Sequence, residues 1–564
     1  MSLLSQASLC VTPSAYKEGK LYSVIPSDGS GDMSVVRATT ATRVNSAGLV
    51  ELVPYNLLTY SNTFSNAAWT KTNTTVTSGQ SGYDGTSNAW KLQATATNNC
   101  EVDQGFSESE TKNFSIYAKA GNVNFVAISV FGAGYGWYNL SNGTLGSSGG
   151  TFVSRNIESV GNGWYRCSIV TNVSASGVAV YVADADNSIA TTIGSNIFIQ
   201  DSQLESGSVP TTYQKTETRL NIPRLDYSNG TCPSLLVEPQ RTNLLTYSSS
   251  FDNAGWTTNN ATITANAIIS PSGIQDAELL TSTSTTETGV FRLISVTGTN
   301  TWSVYAKKGS GKYLLINTNA PLISAKFDLE SGQVVGTPSG GATATIQDSG
   351  NGWYRCVVTS TTAQNRFTIF ITNNTIADDF TSSVGLSCYI WGAQLEAGSY
   401  STSFIPTTSA SVTRNADVIS KTGISSLIGQ TEGTLFLDLQ YSNTNDIDMF
   451  LSIRPNASNK LEIFRDGGVI YAEVAASNSI SIFSTQPIGS YKIAFAYKSG
   501  STALYINGTL ISQSATTFTF TNTLADLYLN SRGGSSFIEA ANFNAAALWK
   551  TRLTNTQLQT LTSL

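Results

Sequence analysis

Glu101 and Asp103, two residues apart in NNCEVDQGF, are the closest this sequence comes to a catalytic pair. Glycoside hydrolysis needs two opposed carboxylates, but the equivalent place later in the chain lacks the pair and no third acid follows it. The 564 residues contain no histidine, which removes Ser/His/Asp and Cys/His triads and imidazole metal sites together. The expectation is a protein that is not an enzyme and has no catalytic residue. Two oxygen-rich runs, DGSGD at Asp28 to Asp32 and DADN at Asp184 to Asn187, could attract calcium. Neither carries the glutamate that closes an EF-hand loop at its twelfth position, so both read as surface turns and no metal residue is assigned.

Sugar recognition asks for something different: aromatic faces for the ring C–H groups, with Asn, Asp and Gln to hold hydroxyls. In GAGYGWYN, Tyr135, Trp137 and Tyr138 stand among glycines, and strand alternation there turns one or two rings outward. These three are the candidate ligand-binding residues, with core or intersubunit packing as the competing reading.

The elements that position such residues come in duplicate. NLLTYSNTFSNAAWTKTN from Asn56 recurs as NLLTYSSSFDNAGWTTNN from Asn243, and three later matches keep the order: FSIYAKAG with WSVYAKKG, GNGWYRCSI with GNGWYRCVV, and IQDSQLESGS with IWGAQLEAGS. Trp69 with Trp256 and Trp164 with Trp353 recur and read as shared core. Glu205 and Glu396 read as hydrogen-bonding partners at a strand end, and Arg166 and Arg355 as partners of a nearby acid or carbonyl. Any specificity should lie where the copies differ. Short β-branched runs between Gly, Asn and Ser clusters, with Asn142-Gly143 and Ser331-Gly332 as hairpin turns, predict all-β jelly-roll or sandwich modules.

A third strand pattern closes the chain. Asp466-Gly467 and Asn507-Gly508 mark hairpins, Leu504 and Ile506 share an inner face, and a Thr554/Gln557 capping box opens a short helix with Leu558, Leu561 and Leu564 at helical spacing. The expected organisation is an N-terminal segment at 1–50, sandwich copies at 51–215 and 216–410 (the latter with its connector), and a final sandwich at 411–564.

Charged residues make up 12% of the chain, net −6, without any Lys/Arg run, which speaks against nucleic acid or membrane insertion. The N-terminal MSLLSQASLCVTPSAYKEGK has no basic region before its short apolar stretch. Dispersed cysteines read as free thiols in a chain assembled in the cytoplasm.

EGTLFLDL, YKIAFAYKSGSTALYINGTLI and ALWKTRLTNTQLQTL resemble the strands and ending of concanavalin A-like, laminin-G-like domains. The repeated NLLTYS, YAKxG, GNGWYR and QLExG modules resemble carbohydrate-binding-type sandwiches of tailed-bacteriophage structural proteins. GKLYSVIPSDGSGDMSVVRATTATRVNSAGLVE is similar to the start of phage virion proteins, particularly of crAss-like phages. The resemblance implies a virion surface protein, a fibre or decoration of head or tail, assembled in the bacterial host. Its implied partners are other virion proteins, host glycans and further copies of itself, a trimer among the options. The 1–50 segment would attach to the particle. A sugar-free decoration protein and a polysaccharide depolymerase are the rivals.

Overall fold

The computed structural model describes residues 3–53, 56–108, 111–218, 220–319, 322–374, 380–442, 447–534 and 536–563. The chain forms two compact units, one of residues 54–220 and one of residues 1–53 with 221–564.

The smaller unit is a sandwich of two six-stranded antiparallel sheets. One sheet runs Ser154–Gly161, Trp164–Thr171, Lys112–Ala120, Asn196–Ser206, Ala89–Ala94, Thr74–Gln80; the other runs Thr144–Gly150, Gly134–Asn139, Phe125–Val130, Ala175–Ala183, Glu101–Glu108, Thr70–Thr72. Period-two alternation creates the core: Phe114, Ile116 and Ala118 from one strand face Val126, Ile128 and Val130 from the other sheet, all at most 1% exposed. Each such fully buried Val, Ile or Phe side chain contributes roughly 1.5–3 kcal/mol.

Within the larger unit, residues 243–397 repeat this sandwich strand for strand. The recurring letters are its fasteners. Asn56 donates to Ser202 O and accepts the Leu58 and Leu204 amides; Asn243 donates to Ala393 O and accepts those of Leu245 and Leu395. Glu205 accepts Gln203 Nε2 and the amide and hydroxyl of Thr211, and Glu396 does the same with Gln394 and Thr402. Arg166 and Arg355 lie over Tyr117 and Tyr305 at 5.4 and 5.3 Å and donate to Ser115 and Ser303. The partners of these buried polar groups are thus repeated with them, and so is what is left over: Arg166 Nε and Arg355 Nε are both buried without a hydrogen-bond partner among the described residues. Trp69, Trp164, Trp256 and Trp353 are all buried.

The last sandwich is built on a sheet that takes strands from both ends of the chain. Leu9–Lys17 pairs with Ala541–Trp549, and Met33–Val36 pairs with Val418–Lys421. Residues 1–50, read from the sequence as a segment set apart, are woven into this unit. Their hairpin of Thr42–Val44 and Val50–Leu52 packs on the second copy, where Val50 N donates to Pro271 O at 2.9 Å. A buried charge cluster binds these parts: Arg37 to Asp417 at 2.6 Å, Arg224 to Asp417 and to Glu238, and Arg414 to Glu238 at 2.7 Å. The Asn507-Gly508 turn takes the positive φ expected, and the two-residue turn after Asp466 is Gly467-Gly468. Leu504 and Ile506 share the core and the Thr554/Gln557 capping box is formed. Leu558 is buried with Leu561 packed beside it; Leu564 lies outside the described residues.

Candidate functional site

A cavity of about 390 Å³ opens in the first sandwich, lined by Asn62, Tyr83, Asn88, Trp90, Asp201 and Tyr213, with Asp84 and Lys215 also on its wall. That volume falls in the range of roughly 300–1,000 Å³ typical of small-ligand clefts. Its wall comes from the 81–88 loop, which follows Thr74–Gln80 and leads into Ala89–Ala94, and from a bulge in Asn196–Ser206. Gly82 lies close under the ends of the Gln200 and Asp84 side chains, which would have to shift to admit a Cβ there.

At the bulge Asp201 adopts φ 54°, left-handed backbone that an L-residue enters at a cost of about 1–2 kcal/mol. The turn points its carboxylate inward, 5% exposed. Oδ2 accepts the Tyr83 hydroxyl at 2.9 Å, and Asp201 N donates to Asn62 Oδ1 at 3.1 Å. Burial pushes the Asp201 carboxyl up to about 6 against the pull of the Tyr83 hydroxyl, and the nearby Asp84 charge pushes it the same way. Burial also works on Asp84, but hydrogen bonds from Thr86, Gln200 and Asn88 hold its carboxyl below the usual carboxylate range. The rings are set firmly: Tyr83 stacks on Tyr117 at 4.0 Å and 9°, Trp90 Nε1 donates to Asn62 O at 3.1 Å, and the Tyr213 hydroxyl lies 2.7 Å from Ser61 Oγ. Flat apolar faces beside hydroxyl-binding groups match the chemistry of a sugar ring.

The second copy has the same scaffold with this place filled. Gln200 is replaced by Trp391, Asp201 by Gly392 and Tyr213 by Phe404, while Tyr117 and Trp164 persist as Tyr305 and Trp353. Trp391 packs at 5.3 Å from Tyr305 and 4.7 Å from Phe404, and its Nε1 donates to Asp276 at 3.1 Å. Gly392 keeps the bulge at φ 63°, and a Cβ there would sit 3.1 Å from Tyr305 and 3.3 Å from Phe404. One copy holds a polar cavity and the other an aromatic plug.

Tyr135, Trp137 and Tyr138 lie elsewhere, on Gly134–Asn139 of the other sheet. Tyr138 points into the core, 0% exposed, and donates to Ser168 O at 2.7 Å. Tyr135 and Trp137 share the opposite face with Tyr181; Tyr135 is half-buried, and Trp137 is buried with Nε1 on Ser188 O at 2.9 Å. The three are therefore split between two faces, and none lines the cavity. Glu101 and Asp103 sit on a strand of that same sheet, and burial raises both carboxyls. Among the oxygen-rich runs, Asp28 is capped by Ser30, Asp184 by Thr192 and Asp186 by Ser147. Among the described residues no group of three or more His, Cys, Asp or Glu could hold a metal ion. The sequence signal for the cavity is the disagreement between copies at 200/391, 201/392 and 213/404.

No protein-family model matches the chain, and no curated protein sequence does. Similarity to solved structures covers about a quarter of it. The CBM40 domain of the Ruminococcus gnavus IT-sialidase bound to α2,3 sialyllactose is 15% identical over 24% of this chain and 84% of that one, with a TM-score of 0.22. The botulinum neurotoxin serotype G binding domain is 13% identical over 26% and 39%, TM-score 0.22. A point mutant of NanB sialidase from Streptococcus pneumoniae is 18% identical over 25% and 26%, TM-score 0.21. The all-β sandwich architecture stands on this chain's own strand pairings, two six-stranded sheets in each copy.

Proposed function

We propose that this chain is a non-enzymatic glycan-binding protein of a phage particle's surface, with its sugar contacts in the first sandwich. The observation that carries the sugar reading is the pair of states of one duplicated place: a cavity with Tyr83, Trp90, Tyr213 and Asp201 in one copy, Trp391 in the other. The particle setting rests on the resemblance of the repeated modules and the N-terminal stretch to virion proteins. A shallow, weak site is enough for adhesion when many copies are displayed, because linked binding events multiply. A glycan array probed with the intact chain and with a Tyr213→Ala variant tests the site: saturable binding that the variant loses supports it. Binding by neither, or by both equally, removes it. Immunogold labelling of intact particles tests the setting.

Polysaccharide hydrolysis is the second reading, favoured by two carboxyls in one cavity whose surroundings push them apart, Asp201 upward and Asp84 downward. Binding is preferred because an internal donor fixes one oxygen of each acid, Asp201 Oδ2 by Tyr83 and Asp84 Oδ1 by Thr86 on its own loop, an arrangement suited to accepting hydroxyls in place. Reducing-sugar release from host polysaccharide that disappears in Asp201→Asn would favour hydrolysis.

A further inference from the structure

Resting on the reading of this cavity as a sugar site, we propose that it selects glycans without acidic groups, held as hydroxyl donors, and rejects uronic, sialylated or sulfated sugars. The lining carries two carboxylates; of its donors the Asn62 amide and the Trp90 indole are engaged, while the neutral hydroxyls of Ser78 and Ser87 stand exposed at its edge. Asp201 sits almost buried at the base and Asp84 on the loop above. The Asn62 amide donates to Asn88 O at 3.1 Å, and the Trp90 indole donates to Asn62 O at 3.1 Å. Lys215, the one cation among the described lining residues, is exposed and lies 3.3 Å from Glu217, which offsets its charge.

An acidic sugar entering this site would bring its charge against two carboxylates, with only the exposed Lys215, already shared with Glu217, to receive it, and like charges juxtaposed in a partly desolvated interface are strongly disfavoured. A neutral sugar meets the opposite situation, since carboxylates accept hydroxyl protons in strong charge-assisted hydrogen bonds. The second copy supports the assignment by contrast. Its bulge residue is Gly392, without a carboxylate, and its Trp391 indole takes up Asp276 as partner.

The test uses the intact chain and matched probe pairs, lactose against 3′-sialyllactose and a neutral hexose disaccharide against its uronate, titrated calorimetrically at pH 7.5. The neutral member of at least one pair should bind, with its acidic counterpart weaker by about tenfold or more. Asp84→Asn and Asp201→Asn should each narrow that gap; Asp84, on an exposed loop, serves as the variant whose folding is least at risk. Equal or tighter binding of the acidic members, or a gap untouched by both variants, overturns the selectivity while leaving the sugar site standing. Failure of every probe to bind removes the site itself, and the selectivity with it.

Discussion

Tyr83 donates its phenol to Asp201 Oδ2 at 2.9 Å, and its amide donates to Oε1 of the preceding Gln200 at 3.2 Å, so it is tied to the bulge at two successive residues. The loop carrying one aromatic wall of the cavity is thereby fixed to the bulge carrying its acid.

Tyr83→Phe should therefore separate binding from folding. The ring and its stack on Tyr117 persist, and losing one hydrogen bond to a buried carboxylate costs about 1.5–3 kcal/mol of stability. Glycan affinity should fall by about tenfold, because Asp201 loses the hydrogen bond that orients it. Calorimetric titration alongside a thermal melt decides the point, and undiminished affinity would count against the site.

The acid–base behaviour of Asp201 makes stability and binding move in opposite directions. Its carboxyl, up at about 6 in the folded chain against roughly 3.9 unfolded, binds its proton more tightly when folded. The stability it contributes is full below about pH 4 and is lost as pH rises through about 6, a change on the order of 2–3 kcal/mol. Asp201→Asn should flatten that part of the profile between pH 4.5 and 7.5 in melts of the intact chain. Affinity for hydroxyl donors should instead weaken below about pH 6, as the acceptor becomes protonated.

The aromatic plug of the second copy is expected to be structural. Trp391→Ala should cost about 3–5 kcal/mol, as for other buried tryptophans. Gly392→Asp should also destabilise, since the side chain meets Tyr305 and Phe404. Calorimetry on both variants checks this. A Trp391→Ala chain that melts like the parent would mean the indole does not fill its place.

Much of this was open to reading in one dimension. The duplication, the Asn142-Gly143 and Asn507-Gly508 turns and the Thr554 cap depend on residues close in sequence, whose local chemistry dictates local geometry. The recurrence of Glu205 as Glu396 marked scaffold, and both are bound to the threonine six residues on. The fate of residues 1–50 was hidden because two of their strands pair with partners 384 and 539 positions away, Val35 with Ile419 and Leu9 with Leu548. No local pattern encodes such a pairing. The cavity was hidden for a related reason. GAGYGWYN advertises its aromatics, but alternation split Tyr138 from Tyr135 and Trp137, whereas the cavity gathers Tyr83, Trp90, Asp201 and Tyr213 from separate segments with ordinary-looking sequence.

The buried cluster of Arg37, Arg224, Arg414, Glu238 and Asp417 supplies the sharpest test of how the larger unit holds together. Each is at most 3% exposed, and the five come from the N-terminal segment, the connector before the second copy and the link after it. Despite the burial penalty, Arg224, Arg37 and Arg414 hold the Asp417 carboxyl below its ordinary range. The stability it supplies is present above about pH 4 and is lost as pH falls through its lowered folded value, opposite in sign to Asp201. Asp417→Asn should cost about 3–5 kcal/mol at pH 7, because Arg37 is left buried without its anion and Arg224 keeps only Glu238. In a calorimetric scan the loss should appear in the transition of the larger unit, while that of residues 54–220 stays in place. The difference between parent and variant should shrink as the parent is taken to low pH. A scan in which both transitions keep their midpoints would show that the cluster is not what fastens the N-terminal segment to the rest of its unit.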